Sequence, residues 1–363
     1  MESMSVGFRI DYLQLLSPSG ELREAAEEAG WNADVLRSLY QAMTRTRVFD
    51  AKAVALQRTG QLGTFASALG QEAIGVGTAY AMHPDDLLVP SYRDHAAQLL
   101  RGVTMAEILL YWGGDERGSD FKNARRDFPN CVPVATQVAH AVGAAYAFRL
   151  RKEKRAVVCF IGDGGTGNGA FYEALNMAGV WKAPVVIVIN NNGWAISTPR
   201  ARECAAETLA QKAFGAGVEG RQIDGNDVLS VYKAAQQALE KAREGDGPTL
   251  IEAVSYRLGD HTTADDATRY RSPDEVKEAW TREPIGRLRA FLAGKRLWDK
   301  EKEDALQRRC AREVEEAVAT YASTPPRGCE AMFDYLFHSL PASMKDQLEE
   351  ARRFDPVRRN GHG

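Results

Sequence analysis

The chain has 363 residues, enough for one large domain or two ordinary ones, and its 44% hydrophobic content supplies a sizeable core. Forty-six basic residues against 49 acidic ones leave a net charge of −3, which excludes a nucleic-acid footprint and a polybasic membrane patch. Five cysteines, odd in number and without C-x-x-C spacing, argue against zinc or a disulfide framework and for reduced thiols in a cytoplasmic setting.

Residues 1–30 form a mixed-charge arm with a turn at Ser17-Pro18-Ser19-Gly20, suited to a subunit contact or a surface strap. Glu2 and Asp11 interrupt any apolar targeting core, and the most apolar long stretch, 132–148, contains Gln137 and His140, so no membrane span is expected. Asn32 is placed to cap a helix carrying Leu36, Leu39, Tyr40 and Met43. A glycine turn at Gly60 and a second helix at Gly70-Gln71-Glu72-Ala73 follow.

A short apolar segment, 87–89, ends in Pro90-Ser91-Tyr92-Arg93-Asp94-His95 and opens the helix containing Leu99 and Leu100. An arginine in front of a helix can bind phosphate through two parallel N–H bonds, and a neighbouring tyrosine adds a hydroxyl donor; a solvated arginine is the common alternative. A polar loop then runs from Tyr111 to Asn130, a length at which loops are often functional. Val132-Pro133-Val134-Ala135-Thr136-Gln137 precedes an alanine-rich helix over 138–150.

The stretch 156–197 states a chemistry. Its apolar run 156–161 suits a strand buried on both faces of a parallel sheet, Gly162-Asp163-Gly164-Gly165 breaks it, and residues 170–181 follow at helical spacing. A second apolar run, 185–189, ends in Asn190-Asn191-Asn192-Gly193. In such a unit the carboxyl ends of parallel strands open on one edge, where ligands of open α/β sheets bind, and Asp163 and Asn192 both fall there. A carboxylate, an amide oxygen and a free main-chain carbonyl such as that of Trp194 are hard ligands. They suit magnesium, which takes few protein groups and completes its shell with phosphate and water, so the inferred ligand is a magnesium diphosphate.

Gly162, Gly164 and Gly167 also satisfy the dinucleotide fingerprint G-x-G-x-x-G, which keeps a nicotinamide-dependent dehydrogenase in view. Two features count against it. The second strand ends in asparagines where an acidic ribose ligand is needed, and Asp163 inside the turn would repel a bare pyrophosphate unless a divalent cation lay between them.

Beyond the unit come a loop rich in Arg, Thr and Ala over 199–209 and Ile223-Asp224-Gly225-Asn226-Asp227, with turn and capping roles for the two aspartates ahead of a helix through Val228, Val231, Ala235 and Leu239. A buried strand, 248–254, leads to the polar loop Tyr256-Arg257-Leu258-Gly259-Asp260-His261-Thr262-Thr263, and loops in that position carry function disproportionately. From Pro284 onward the pattern reads as helices carrying Ile285, Leu288 and Leu292, then 299–321, a stop at Pro325-Pro326, helical segments 331–340 and 344–354, and a basic tail at Arg358-Arg359.

Gly162-Asp163-Gly164 followed after a helix by Asn191-Asn192, with 29 positions from Asp163 to Asn192, resembles the thiamine diphosphate motif. With Phe49-Asp50, Gly70-Gln71-Glu72-Ala73, Asn176-Met177-Ala178, Trp194-Ala195-Ile196-Ser197-Thr198 and the Asp224 segment, the chain resembles the alpha subunit of the E1 component of 2-oxoacid dehydrogenase complexes, over roughly 35–345. The resemblance implies an open, mostly parallel α/β sheet flanked by helices, the diphosphate-binding half of the fold, over 31–325, with the arm at 1–30 and a helical tail at 326–363. It also implies thiamine diphosphate contacts at Tyr92, Arg93, Val132, Val134, Gly162, Asp163, Gly164, Gly165, Asn192, Trp194 and His261. Of these, Asp163, Asn192 and the Trp194 carbonyl would hold Mg2+, and His261 would order the site as its catalytic histidine.

The same resemblance implies a separate E1 beta subunit carrying the activating glutamate, a heterotetramer of two alpha and two beta chains, and a lipoyl-bearing E2 acyltransferase as acceptor. Pyruvate is the expected 2-oxoacid. The run from Asp260 to Asp266 and Met332-Phe333-Asp334-Tyr335 look like bacterial pyruvate-type subunits, and Asn190 stands where branched-chain members often carry arginine. Trp194-Ala195-Ile196-Ser197-Thr198 and Ala135-Thr136-Gln137 also suit a branched-chain enzyme, which stays the alternative; a silent cofactor-binding scaffold is the remaining one. Trp194 replaces the tyrosine of many members without altering the carbonyl, and Thr262, at the place of a serine phosphorylated in mitochondrial members, is treated as structural.

Overall fold

A computed structural model describes residues 7, 9–23 and 31–355 of the chain, so the basic tail at Arg358-Arg359 and the acidic Glu2 lie outside the described residues. Six strands build one parallel sheet: β1 (Tyr12–Leu13), β2 (Leu87–Val89), β3 (Val157–Gly162), β4 (Val185–Asn191), β5 (Glu219–Asp224) and β6 (Thr249–Val254), in the spatial order β1-β5-β6-β4-β3-β2. This is the expected α/β class. Alternate residues of the central strands face opposite ways, and both ways are apolar. Val157, Cys159, Ile161, Val185, Ile187 and Ile189 pack under α4 (Thr136–Leu150) and α5 (Gly169–Val180). Val158, Phe160, Val186, Val188 and Ile251 pack under α2 (Glu72–Ala81) and α6 (Val228–Glu244).

The crossover from β3 to β4 therefore runs on one face and that from β5 to β6 on the other. The chain switches sides between the neighbours β4 and β6, the place in an open parallel sheet where a crevice forms beyond the strand ends. Register fixes what meets there. Gly162 stands opposite Asn190 and Asn191 opposite Val254, so the Asp163 turn, Asn192 and the loop after β6 emerge side by side on one edge.

Helix α1 (Ala33–Arg58) is capped as expected, Asn32 accepting from Asp34 N at 2.7 Å, and α3 (His95–Arg101) begins two residues after Arg93. Asp227 caps α6 through Leu229 N at 3.0 Å, and its other oxygen accepts from both Leu15 N and Leu16 N at 2.7 Å. Residues 12–16 of the arm are thus built into the sheet edge and core, a role that no two-residue strand announces by periodicity. The strand β5 was not expected either: Ile223 is its one fully buried large apolar side chain, and polar pairs hold the rest, Gln222 to Glu252 and Arg221 and Lys241 to Glu219.

Residues 1–317 form one compact unit and 318–363 a second. Within the second, the helix expected over 331–340 is a correction: one 3-10 turn, Cys329–Met332, and bends occupy it, with Tyr335, Leu336 and Phe337 exposed. The helix Ala342–Phe354 follows. Among the described residues no helix is long and apolar enough to cross a membrane.

Candidate functional site

At the switch edge lies a cavity of about 240 Å³, and it gathers Tyr92, Arg93, Val134, Gly162, Asp163, Gly164, Gly165, Asn192, Trp194 and His261 from five separate segments. Of the sequence-predicted residues only Val132 is outside the lining, its side chain 55% exposed.

Strand β3 ends at Gly162, and the chain tightens into a 3-10 turn, Asp163–Gly167, locked by Thr166 Oγ1 donating to the Asp163 carbonyl at 2.8 Å. Asp163 is 3% exposed; Oδ1 accepts from Gly164 N at 3.0 Å, while Oδ2 is buried with no hydrogen-bond partner. Burial pushes its pKa up to about 6, against the pull of the Gly164 N–H and the Arg257 charge. Close approach explains the glycines. A Cβ on Gly164 would lie 2.5 Å from Ala195 Cβ, and one on Gly165 would lie 2.6 Å from Ile161 Cγ1.

The three asparagines that end β4 divide by strand alternation. Asn191 turns one way and donates to the buried Glu252 at 2.7 Å, whereas Asn190 and Asn192 turn the other way and each donate to Gln71 Oε1 at 2.9 Å. Asn192 Oδ1 accepts from Trp194 N at 3.2 Å. The Trp194 carbonyl, expected to be free, accepts from Arg257 Nη1 at 3.3 Å and so keeps one lone pair; a buried arginine 63 positions away was not foreseeable as its partner.

Arg93 is buried and reaches the loop after β6. Its Nη1 donates to the Ser67 carbonyl at 2.5 Å and its Nη2 to the His261 carbonyl at 2.9 Å, with the His261 ring Nδ1 3.2 Å away. Tyr92 stands edge-on to the same ring, centroids 6.3 Å apart. Burial, then the charges of Arg93 and Arg257, lower the His261 pKa to about 4.

Several residues lining the site or packed beside it were not singled out from sequence, among them Gln71, Arg257, Ile196 and Glu203. Gln71 and Arg257 are buried polar groups whose partners lie far along the chain. Ile196 lines the cavity from a left-handed backbone, φ +53°, with its side chain 56% exposed, an outlying conformation for a β-branched residue. Glu203 packs against Gly164 with Oε2 buried and unpartnered, and burial followed by the charge of Asp163 pushes its pKa up to about 7.

The donor set fits a hard divalent cation. An orphaned carboxylate oxygen, an amide oxygen and a carbonyl belong to residues that line one cavity, without sulfur or imidazole among the three, and glycines beside them leave room for a phosphate group. Compared with known proteins, residues 40–330 match the family model described as dehydrogenase E1 component. The chain is 35% identical over 342 residues to a pyruvate dehydrogenase E1 component subunit alpha of Staphylococcus aureus, covering 94% of this chain and 92% of that one. It is 39% identical over 350 residues to a 3-methyl-2-oxobutanoate dehydrogenase subunit alpha of Mycobacterium tuberculosis, covering 96% and 95%.

Proposed function

The chain belongs to the dehydrogenase E1 component family as an alpha subunit of a 2-oxoacid dehydrogenase, and from that premise we propose that it binds thiamine diphosphate through Mg2+ at Asp163 and acts on pyruvate. One observation carries the cofactor reading: Asp163 keeps a buried carboxylate oxygen unpartnered in a cavity shared with Asn192 and Trp194. Desolvating a carboxylate costs stability unless a positive charge compensates, and a divalent ion there would in turn attract a diphosphate.

Asp163, Asn192 and the Trp194 carbonyl would hold the ion. Tyr92, Arg93, Gly164, Gly165 and His261 would hold the diphosphate, Val134 the ring end, and Val132, outside the cavity lining, would offer a main-chain contact only. Thiamine diphosphate, when bound, supplies the electron sink for loss of carbon dioxide from a 2-oxoacid. The chain's own residues bind and orient. Arg93 can only donate, so the His261 nitrogen facing it is the acceptor, and the ring proton sits on Nε2, available to an anion. Val134 and Ile196 give the cavity mouth an apolar rim that excludes water once covered. The covering partner in this reading is an E1 beta subunit, which also brings the carboxylate that activates the cofactor, in a cytoplasmic heterotetramer that hands the acyl group to a lipoyl-bearing E2.

Pyruvate is preferred because Asn190, in the cavity lining, stands where branched-chain members of the family often carry arginine. The 39% identity to a 3-methyl-2-oxobutanoate enzyme favours the branched-chain substrate as a second reading. Calorimetry on the assembled alpha and beta chains tests the cofactor: thiamine diphosphate binding requires Mg2+ and is lost in Asp163→Ala, and unchanged affinity in that variant rejects the site. Steady-state assays with pyruvate and 3-methyl-2-oxobutanoate test the substrate, a higher kcat/KM for the latter reversing the choice. Tight cofactor binding with turnover of neither acid would identify a scaffold.

A further inference from the structure

An asparagine amide presents oxygen on one side and NH2 on the other, so as a cation ligand it works in one orientation only. For Asn192 the orientation is set at both ends: Oδ1 accepts from Trp194 N at 3.2 Å, and Nδ2 donates to Gln71, 121 positions away and at the start of α2. Gln71 Oε1 accepts from Asn190 Nδ2 and from Asn192 Nδ2, each at 2.9 Å, and the three side chains are all more than nine-tenths buried. Asn190 is pinned at its other end, its Oδ1 accepting from Ser255 Oγ at 3.0 Å. Both lone pairs of Gln71 Oε1 are thereby used, and rotating the Gln71 amide by half a turn would point NH2 at two NH2 groups.

The consequence falls on the far side of Gln71. Its Nε2 is buried without a hydrogen-bond partner, and Gln71 lines the cavity beside Asn190, Asn192 and Arg93. Gly70 makes the placement possible: it has φ +87°, and a Cβ there would stand 2.6 Å from the Tyr256 carbonyl. The turn at residue 70 thus packs against the loop after β6 and delivers Gln71 to the ends of β4.

We propose that Gln71 is a positioning residue that holds the Asn192 amide with Oδ1 presented to the cation and offers its own Nε2 as a neutral donor to the anionic group bound there. This rests on the magnesium diphosphate reading above. It gives the glutamine two separable tasks, one for each end of its amide. The acceptor end acts on the metal through Asn192, and the donor end acts on the anion directly.

Two variants separate the tasks in the alpha–beta assembly, with Mn2+ alone followed by electron paramagnetic resonance and thiamine diphosphate followed by tryptophan quenching. Gln71→Met, close in size but without either polar end, is expected to weaken Mn2+ binding about tenfold, the scale of one buried hydrogen bond that fixes a ligand. Gln71→Glu keeps an oxygen for both asparagines but turns the free donor into an acceptor; Mn2+ affinity is retained while thiamine diphosphate weakens by about tenfold or more. In an Asn192→Asp background, where the side chain presents oxygen whichever way it turns, the Gln71→Met penalty on Mn2+ disappears. That rescue marks positioning, because a general loss of packing would persist. Wild-type Mn2+ affinity in Gln71→Met, an undiminished penalty in the Asn192→Asp background, or loss of Mn2+ in Gln71→Glu each overturns the proposal while the metal site stands. A wild-type assembly that takes up no Mn2+ overturns the metal reading and this inference together. Where Gln71→Met fails to fold, Gln71→Glu alone decides.

Discussion

Arg93 and His261, 168 positions apart, are joined at two points, the guanidinium Nη2 lying 3.2 Å from the ring Nδ1 and 2.9 Å from the carbonyl of the same residue. One side chain thus orients both the ring and the main chain of the loop after β6, and a second arginine, Arg257, lies 3.5 Å from the same Nδ1. Burial first, and then the two cations facing one imidazole, keep it neutral, and the neutral ring has a single tautomer that both arginines tolerate.

A pH dependence follows. The folded-state pKa of His261 is lowered to about 4 from the ordinary value near 6.5, so the folded protein binds fewer protons than the unfolded chain between those values. Its contribution to stability is complete above the unfolded pKa and is lost as pH falls toward and through 4. Thermal melts of wild type and His261→Gln are expected to run parallel above pH 7 and to converge or cross below pH 6, where the wild type loses more. Curves that stay parallel down to pH 4.5 would show that the ring is not held neutral.

Asp163 has the opposite sign. Its folded-state pKa is raised to about 6, so its contribution is favourable below the unfolded value near 3.8 and is lost as pH rises through 6, where a buried charge without a partner remains. Asp163→Asn, melted without metal, should therefore be more stable than wild type at pH 8 by on the order of 1–2 kcal/mol, with little gain at pH 4. Magnesium with thiamine diphosphate should raise the wild-type Tm and leave the variant unmoved. A variant less stable than wild type at pH 8 would count against a strained, cation-seeking carboxylate.

The central unit was legible because its signals are local. Apolar runs, a glycine break and a polar terminus define β3, the Asp163 turn and β4 in one reading, and the parallel register then brings Gly162 beside Asn190 without further information. Tyr92, Arg93 and His261 were recognisable through neighbouring residues. What could not be read was long-range and polar: Gln71 with Asn192, Arg257 with the Trp194 carbonyl, and β5, whose pairing depends on Glu252 and Glu219 more than on apolar alternation. The segment 331–340 failed the other way, since its apolar residues suggest a helix yet Tyr335, Leu336 and Phe337 remain exposed.

Among the described residues, the most deeply buried ion pair tests how the arm is fastened. Arg287 Nη1 donates to Asp224 Oδ2 at 2.6 Å and to the Leu16 carbonyl at 3.1 Å, and Gln14 Nε2 joins the same Asp224 oxygen at 2.6 Å. Removing one partner strands a charge away from water. Arg287→Met is expected to cost about 3–5 kcal/mol in urea unfolding, and pairing it with Asp224→Leu should recover part of that loss, because no unpaired carboxylate remains. Additive losses in the double variant would show that packing of the arm, more than charge, depends on Arg287.

Gly164 tests the cradle by size alone, since its backbone is not in the left-handed region. An added methyl would meet Ala195 Cβ at 2.5 Å and Glu203 Oε1 at 2.9 Å. The glutamate end can swing away, whereas Ala195 is fixed in a two-stranded hairpin, Trp194–Ala195 with Thr198–Pro199, that also carries the Trp194 carbonyl. Relief therefore moves a proposed metal ligand. Gly164→Ala should lose about 1–3 kcal/mol of stability through overpacking and at least about tenfold in affinity for magnesium thiamine diphosphate. Gly167→Ala, in the same turn and with open space around the new methyl, is the matched control and should bind as wild type. Equal binding by the two variants would mean that the hairpin yields without displacing Trp194, and the carbonyl would then lose its place among the proposed ligands.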